Sequence, residues 1–562
     1  MFSLAKKLSL TVRGVMASAI DNLFTALKGR ATYSENIADS KQVVKDIDNY
    51  ELLDKASILL TPTAYSDARV HSVKTYTGDE LVTNGNFSDG LNGWNNSATL
   101  PVDNLSVVNN KLELENISGS LQVFTSDSFN VTSGETYKIS LDTIKESGVD
   151  DFDITLRATA LGTVVETITT TQQTGSLTYY FTSSSTQSIL FQFTLRDTIK
   201  GSIDNVSVID VSSDFDFDRA SSATRINSSA NIEDITSDLA RINYDSNGEN
   251  GHWLLEPTST NLVTYSEDFS QWSSSGSATI ESGFVSPDGS NSAYKVSGTV
   301  GSSSIYYQGV NATDTRTIWA RTVSGTGTMN LCSYGQNTNN NFTITEDWQR
   351  FEVNGTTTST GGTNFYALDF RFESANALSE VIIWGAQSEA LSYATSYIPT
   401  YGSTVTRAAE TLTGSGNSTL INSTEGVLYA EIAALVDDNS AREITLSDGT
   451  ADNRIELRYG AASNRIQLVA RSGGVVQASL TNSTNNILNF NKVAVKWKAN
   501  DFALWINGIE QGADTSGSTP IGLNELQFNQ GDGAGGEFLG KVKALAVFDR
   551  ALTDQELTDL TS

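Results

Sequence analysis

One cysteine, Cys332, and two histidines, His71 and His252, occur in 562 residues. A single thiol forbids an intramolecular disulfide, so stability has to come from packing or association, and the expected place for such a residue is a small buried apolar position. With two imidazoles in the chain, Ser-His-Asp triads and most zinc sites lose their commonest member. No window approaches 18 consecutive apolar residues, which excludes a membrane-spanning helix. Cations are scarce as well: 36 Lys and Arg stand against 65 Asp and Glu, a formal charge of -29. That balance repels phosphate backbones and anionic headgroups, so the sequence is read as having no nucleic-acid partner and no membrane insertion. No nucleophile elbow is present either, and the expectation is a protein that is not an enzyme.

What is present is small and polar. There are 44 glycines, only 18% charged and 9% aromatic residues, with abundant Ser, Thr and Asn. This is the composition of short strands joined by polar turns, hence an all-β chain, long enough for three or four domains that each bury a core. The first 30 residues differ: Lys6, Lys7, Arg13, Lys28 and Arg30 face a single acid, Asp21. Leu8, Val12, Val15, Met16, Ile20, Leu23, Phe24 and Leu27 recur at roughly helical spacing. Residues 1–78 are therefore expected to be an arm containing helix that docks to an acidic or apolar partner, with a solvated helix capping the first module as the alternative. Arg13 interrupts the apolar stretch that a signal peptide would need, so the N-terminus is read as uncleaved.

Two stretches 181 positions apart open alike: Leu81-Val-Thr-Asn-Gly-Asn-Phe87, followed by Trp94, and Leu262-Val-Thr-Tyr-Ser-Glu-Asp-Phe269, followed by Trp272. Repetition of this kind marks similar β-modules in series. The first spans 79–212, where Tyr137, Ile139 and Leu141 alternate with polar neighbours and Phe191, Phe193 and Leu195 do the same, the period of two that sends one face into a core. The second spans 213–410, with a lead-in before the repeat, and the third 411–562. In the third, Lys492–Lys498 alternates strictly with Val493, Val495 and Trp497 inward, and Phe502–Gly508 follows after a short link as the second arm of a hairpin. Thr553 followed by Glu556 has the spacing of a helix-capping box. Arg219, Arg225, Arg241 and Arg407 sit beside acids in the second module, and their expected role is to hold the lead-in against the sandwich.

Family resemblances follow from these motifs. Leu81–Phe87 with Gly93-Trp94, then Ser133-Gly-Glu-Thr-Tyr-Lys-Ile-Ser140, then Ile203-Asp-Asn-Val-Ser-Val208, resembles a carbohydrate-binding module of the galactose-binding-like jelly-roll type. Phe215-Asp-Phe-Asp-Arg-Ala-Ser-Ser-Ala-Thr-Arg225, Trp253–Leu262, Trp384-Gly-Ala-Gln387, Ser392–Thr400 and Val405–Glu410 together resemble a segment that recurs in bacteriophage tail and fibre proteins. The end of the chain, Gly536–Leu552 and Thr553–Leu557, is similar to the laminin-G or concanavalin-A-like lectin domain. The fold these imply is a pair of tandem jelly-roll sandwiches followed by a concanavalin-like sandwich. The function they imply is a virion fibre protein, on the tail or the head, that attaches to other virion proteins through residues 1–78 and binds host cell-surface polysaccharide without chemistry. A homotrimer is what the fibre family implies. The alternatives are a capsid decoration protein whose modules only space and pack, and a tailspike that depolymerises glycan; the Glu-x-Asp-x-x-Glu strand signature of concanavalin-like hydrolases does not occur.

Sugars present flat apolar faces and many hydroxyls, so aromatic platforms with nearby amides are the residues to look for. Trp505 and Asn507, on the second arm of the hairpin, and Trp319 in Arg316-Thr-Ile-Trp-Ala-Arg321 are the candidate carbohydrate contacts, with burial inside a sandwich as the alternative for each tryptophan. Trp94, Trp272 and Trp384 are expected in cores. No cofactor is required, but calcium fits two settings: the jelly-roll resemblance places Asn86 and Asp204 near a structural calcium ion, and Asp448–Asp452 and Asp532–Glu537 offer carboxylates on Gly-rich loops. Turn and strand-end hydrogen bonds are the competing role for all of these.

Overall fold

The computed structural model describes residues 50–53, 55–60, 69–70, 80–148, 151–172, 174–212, 214–311, 313–333, 341–354, 365–371 and 373–562. Most of the N-terminal arm, including Lys6, Lys7, Arg13, Lys28, Arg30 and His71, lies outside them. The regular secondary structure of the described chain is almost entirely antiparallel β-sheet, as its composition implies, and the chain divides into two compact units. One holds 80–214 and 415–422; the other holds 50–70, 215–414 and 423–562.

The first unit is a two-sheet sandwich. One sheet runs Val164–Gln172, Phe152–Arg157, Gln187–Leu195, Gln122–Ser126, Trp94–Asn96, with Phe129–Val131 also pairing to Gln187–Leu195. The other runs Gly175–Thr182, Thr136–Gly148, Ile199–Asp210, Lys111–Asn116, Asn104–Val108. Tyr137, Ile139 and Leu141 from one sheet and Phe191, Phe193 and Leu195 from the other meet in a single core.

The second unit contains two further sandwiches. In the central one, the sheet Ser273–Ser275, Ser304–Gln308, Phe365–Asp369, Gly327–Ser333, Asn341–Ile344 faces the sheet Thr279–Phe284, Ala293–Ser297, Glu380–Glu389, Thr315–Arg321, Gln349–Val353. Cys332 lies fully buried in this core, where desolvation pushes its thiol up to about 12. In the C-terminal sandwich a five-stranded sheet, Val475–Asn482, Ile466–Ser472, Arg454–Tyr459, Arg442–Ser447, Glu525–Gln527, accompanies an eight-stranded one. The larger sheet is not built from the C-terminal third alone. Its order is Ile242–Asn243, His252–Leu255, Gly540–Phe548, Glu425–Ala434, Asn491–Lys498, Phe502–Ile506, Ile509–Asp514, so the segment leading into the central sandwich supplies two strands. Ile58–Leu60 pairs with the same Gly540–Phe548 strand, Ile58 opposite Val547. The expected hairpin forms with Val493 opposite Ile506, and the chain ends in the helix Asp554–Thr561, whose capping box has both the Thr553 and the Glu556 bonds in place.

The sequence echo is reproduced bond for bond. In the first unit Leu81 N–H donates to the Val208 carbonyl and Val206 N–H to the Gly85 carbonyl; in the central sandwich Leu262 N–H donates to Ser388 and Ala386 N–H to Ser266. Trp94 Nε1 donates to the Asn84 carbonyl at 3.1 Å and Trp272 Nε1 to the Tyr265 carbonyl at 3.0 Å. Each indole packs on the phenylalanine of its own copy, Phe87 at 5.1 Å and Phe269 at 5.0 Å. A polar side chain just before each repeat pins the opening segment to the closing strand. Glu80 accepts from the Val82 and Val208 amides, and Asn261 from the Val263 and Ser388 amides. Both closing strands carry a bulge at the same place, with Asn205 (φ 51°) and Gly385 (φ 64°) in the left-handed region.

Candidate functional site

The lead-in, 215–256, lies on the outer face of the central sandwich. Along the strand Thr315–Arg321, Ile318 and Ala320 point into the sandwich core, while Trp319 points outward into a second apolar cluster with Ile232, Ala293, Ile382, Trp384 and Tyr397. The hairpin Ala223–Ile226/Ile232–Ile235 brings Ile226 and Ile232 onto that face. Alternation along one strand thus creates two apolar surfaces, and the lead-in exists to cover the outer one.

Five charged side chains fasten it there. Arg241 is fully buried; its Nε donates to Glu410 at 2.7 Å and its Nη2 to Glu256 at 2.9 Å. Arg407 pairs with Glu256 at 2.7 Å and Arg219 with Glu410 at 3.3 Å. Burial alone would raise the Glu256 carboxyl, but the Arg407 and Arg241 guanidiniums hold it down to about 2. For Arg219 burial prevails, and its guanidinium falls to about 10. Other lone pairs and donors are met by Ser396, Thr395 and backbone carbonyls, while the Arg407 Nε–H is buried without a partner. Arg225 pairs separately with Glu233. Of the four arginines expected to hold the lead-in against the sandwich, Arg219, Arg241 and Arg407 are in this cluster, whereas Arg225 bonds Glu233 and the Ile242 carbonyl within the lead-in itself.

Where the lead-in, the central sandwich and the larger C-terminal sheet meet, a cleft of about 500 Å³ remains. Trp319, Trp348, Tyr397, Ile232 and Leu254 give it apolar walls; Arg225, Asn243, Gln349, Arg350 and Lys541 give it polar ones. Arg350 stands directly opposite Trp319 in register, and Lys541 opposite Leu254, so each cation shares a face with an apolar wall residue. Trp348 is half-buried and carries the Arg321 guanidinium over its ring at 5.4 Å. The Trp319 indole N–H is buried and has no hydrogen-bond partner. A concave, largely apolar site with a few convergent polar groups is the usual form of a small-ligand pocket.

The C-terminal sandwich contributes a second polar concentration, on its five-stranded sheet. Glu456 and Glu443 both approach Arg458 Nη1, at 3.1 and 3.6 Å. Burial and the neighbouring Glu456 charge hold the Glu443 carboxyl above the ordinary range. The Gly-rich turn 529–537 lies over this cluster: Arg454 donates to the Gln530 carbonyl, Ser447 to Gly531, and the Glu443 amide to Gly536.

Residues 432–558 match the concanavalin A-like lectin/glucanases superfamily. The match covers most of the C-terminal sandwich and leaves out the greater part of Glu425–Ala434 and the strands that 58–60 and 242–255 add to it. No curated protein matches the chain. Solved structures similar to parts of it include the Ruminococcus gnavus IT-sialidase CBM40, at 17% identity over 27% of this chain and 94% of that one, TM-score 0.23. The CBM22-1-CBM22-2 tandem domain of Paenibacillus barcinonensis Xyn10C is 15% identical over 56% of this chain and 98% of that one, TM-score 0.22. The Caenorhabditis elegans galectin LEC-6 is 13% identical over 22% of this chain and 83% of that one, TM-score 0.18.

Within the concanavalin A-like domain, Trp505 is 6% exposed. It sits opposite Ala494, on the face where Lys496 meets Asp554 of the final helix, and its indole N–H is unpartnered. Asn507 occupies a left-handed turn position (φ 50°), accepts from the Lys492 amide and donates to Asn491. The structure thus places these two together at the helix-covered edge, and Trp319 elsewhere, in the cleft wall. In the first unit Asn86 is exposed and binds Ser88. It lines a hollow of about 490 Å³ with Glu80, Asn84, Ser140, Asn205 and Ser207; Asp204 is not among the lining residues and caps the Asn205 amide. Among the described residues no group of three His, Cys, Asp or Glu is placed to hold a metal ion. Both Asp448 and Asp532 accept from backbone amides of their own turns.

Trp348, Arg350 and Lys541 were not singled out from the sequence as ligand contacts. Arg350 lies on the strand Gln349–Val353 and Trp348 just precedes it, but the cleft they line is completed by Lys541, some 190 positions away.

Proposed function

We propose that the chain is a non-catalytic glycan-binding protein and that the cleft around Trp319 and Trp348 is its sugar site. The observation that carries this is the half-buried Trp348 ring beside a wall of Trp319 and Tyr397, with Arg350, Gln349 and Asn243 within the same cleft. An apolar ring face beside amide and guanidinium donors suits a pyranose, which has one apolar face and a rim of hydroxyls. The match of 432–558 to a superfamily described as lectins and glucanases is consistent with it. A role on a bacteriophage virion, with residues 1–78 docking to the particle and several copies multiplying weak sites into avidity, is supported by the sequence resemblance of 215–410.

The test is a glycan array probed with the full chain, wild type and Trp348→Ala. Binding to bacterial surface polysaccharide that weakens about tenfold in the variant is the expected result; no binding to any glycan overturns the reading. A depolymerase is the second reading, favoured by the Glu443 and Glu456 pair on Arg458. Release of reducing ends that is abolished in Glu443→Gln would establish it against the first.

A further inference from the structure

Two cations in the cleft have no carboxylate to answer them. Lys541 projects from Gly540–Phe548 beside Leu254, and among the described residues its side chain makes no ion pair and no hydrogen bond; the acid that acts on it, Glu256, lines the same cleft and is already paired with Arg241 and Arg407. Arg350 spends its Nη1 on the Thr395 carbonyl and its Nη2 on Thr317 Oγ1, and its Nε is buried without a partner. In the same wall the Trp319 indole N–H is buried and unpartnered. Arg225 is different, since Glu233 neutralises it. An unpaired ammonium and a guanidinium that no carboxylate neutralises therefore line one cavity in a chain whose net charge is -29.

Removing an ammonium from water without a counterion is unfavourable. That cost is relieved when a ligand brings an anion into the cavity. Resting on the sugar-site reading above, we propose that the ligand is an acidic glycan, and that a sugar carboxylate is received by Lys541 and Arg350 while its ring lies against Trp348. A neutral sugar would leave the ammonium uncompensated. The wall that carries the aromatic rings and the wall that carries Lys541 come from different sandwiches, so only the assembled unit presents both.

The test measures the full chain by titration calorimetry against a panel of oligouronates and sialylated oligosaccharides, each with a neutral counterpart of the same length. Expected results are tighter binding of the acidic member of a pair, an affinity that declines as salt rises, and a loss of about tenfold in Lys541→Met with recovery in Lys541→Arg. Lys541→Met removes an unpaired desolvated charge, so its thermal midpoint should be at or above that of wild type, which separates lost binding from lost folding. Equal affinity for acidic and neutral members, unaffected by Lys541→Met, overturns the acidic-glycan inference and leaves the sugar site standing. Binding to no member of either series overturns the acidic-glycan inference, and the sugar site itself falls when the glycan array is blank as well.

Discussion

Replacing Glu410 by glutamine removes one charge from the buried cluster and almost no volume. In the wild type Arg219, Arg241 and Arg407 are balanced by Glu256 and Glu410, with all five side chains at most 4% exposed. Glu410 also accepts the Glu256 backbone amide at 2.8 Å, which a glutamine oxygen can still do. What the variant loses is charge, and three guanidiniums are left facing one carboxylate. Breaking a buried pair on one side costs about 3–5 kcal/mol. Urea unfolding followed by tryptophan fluorescence suits the measurement, because all of the tryptophans except Trp94 belong to the second unit. The midpoint should shift with an unchanged slope. Glu410→Gln combined with Arg219→Met should cost less than the two single changes together, as expected for residues in one network. A Glu410→Gln protein within about 0.5 kcal/mol of wild type would refute the view that this cluster fastens the lead-in.

Acid should act through His252. The imidazole is fully buried against Phe490, Nδ1 donates to the Asn250 carbonyl, and desolvation lowers its pKa to about 3. The unfolded chain takes up its proton near 6.5, so it binds more protons than the folded chain between that pH and about 3, and stability falls as the pH is lowered through this window, by at most about 5 kcal/mol. His252→Gln should flatten that decline in parallel denaturation curves at pH 7 and 4; equal slopes for the two proteins would count against it. Gly85→Ala tests the repeat: an added Cβ would lie 1.8 Å from the Val206 carbonyl oxygen, so the backbone must shift at a cost of about 1–3 kcal/mol or more, read as a lower midpoint for the first unit. A neutral Gly85→Ala would mean that the opening and closing segments are not held together there.

The sequence made visible whatever was local. Period-two alternation located the strands around Tyr137, Phe191 and Val493, and the Thr553/Glu556 spacing located the last helix cap. The echo at Leu81 and Leu262 went further, since it identified two segments with the same hydrogen bonds to their closing strands. Glu80 and Asn261 escaped notice because they share a task and no chemistry beyond an acceptor oxygen. The cleft escaped for a different reason. Trp319 reads as core or surface equally well until the lead-in is laid across its sheet, and Lys541 is one more strand lysine until Leu254 is placed opposite it. Sites assembled from three distant segments leave no spacing for a reader of the chain to find.

The pairing of Ile58–Leu60 and of His252–Leu255 with Gly540–Phe548 has a consequence for how the chain is made. Residues 61–539 separate Ile58–Leu60 from that strand, so the earlier segment has to wait, unpaired, while all of them are synthesised before its partner leaves the ribosome. The first unit can close on itself while synthesis continues, apart from 415–422. The second is bound to fold late and from contacts of very large sequence separation, which is slow and leaves strand edges open meanwhile. A nascent chain stalled anywhere before Gly540 would carry an unfinished sheet, a cleft lacking Lys541, and a ready target for proteolysis.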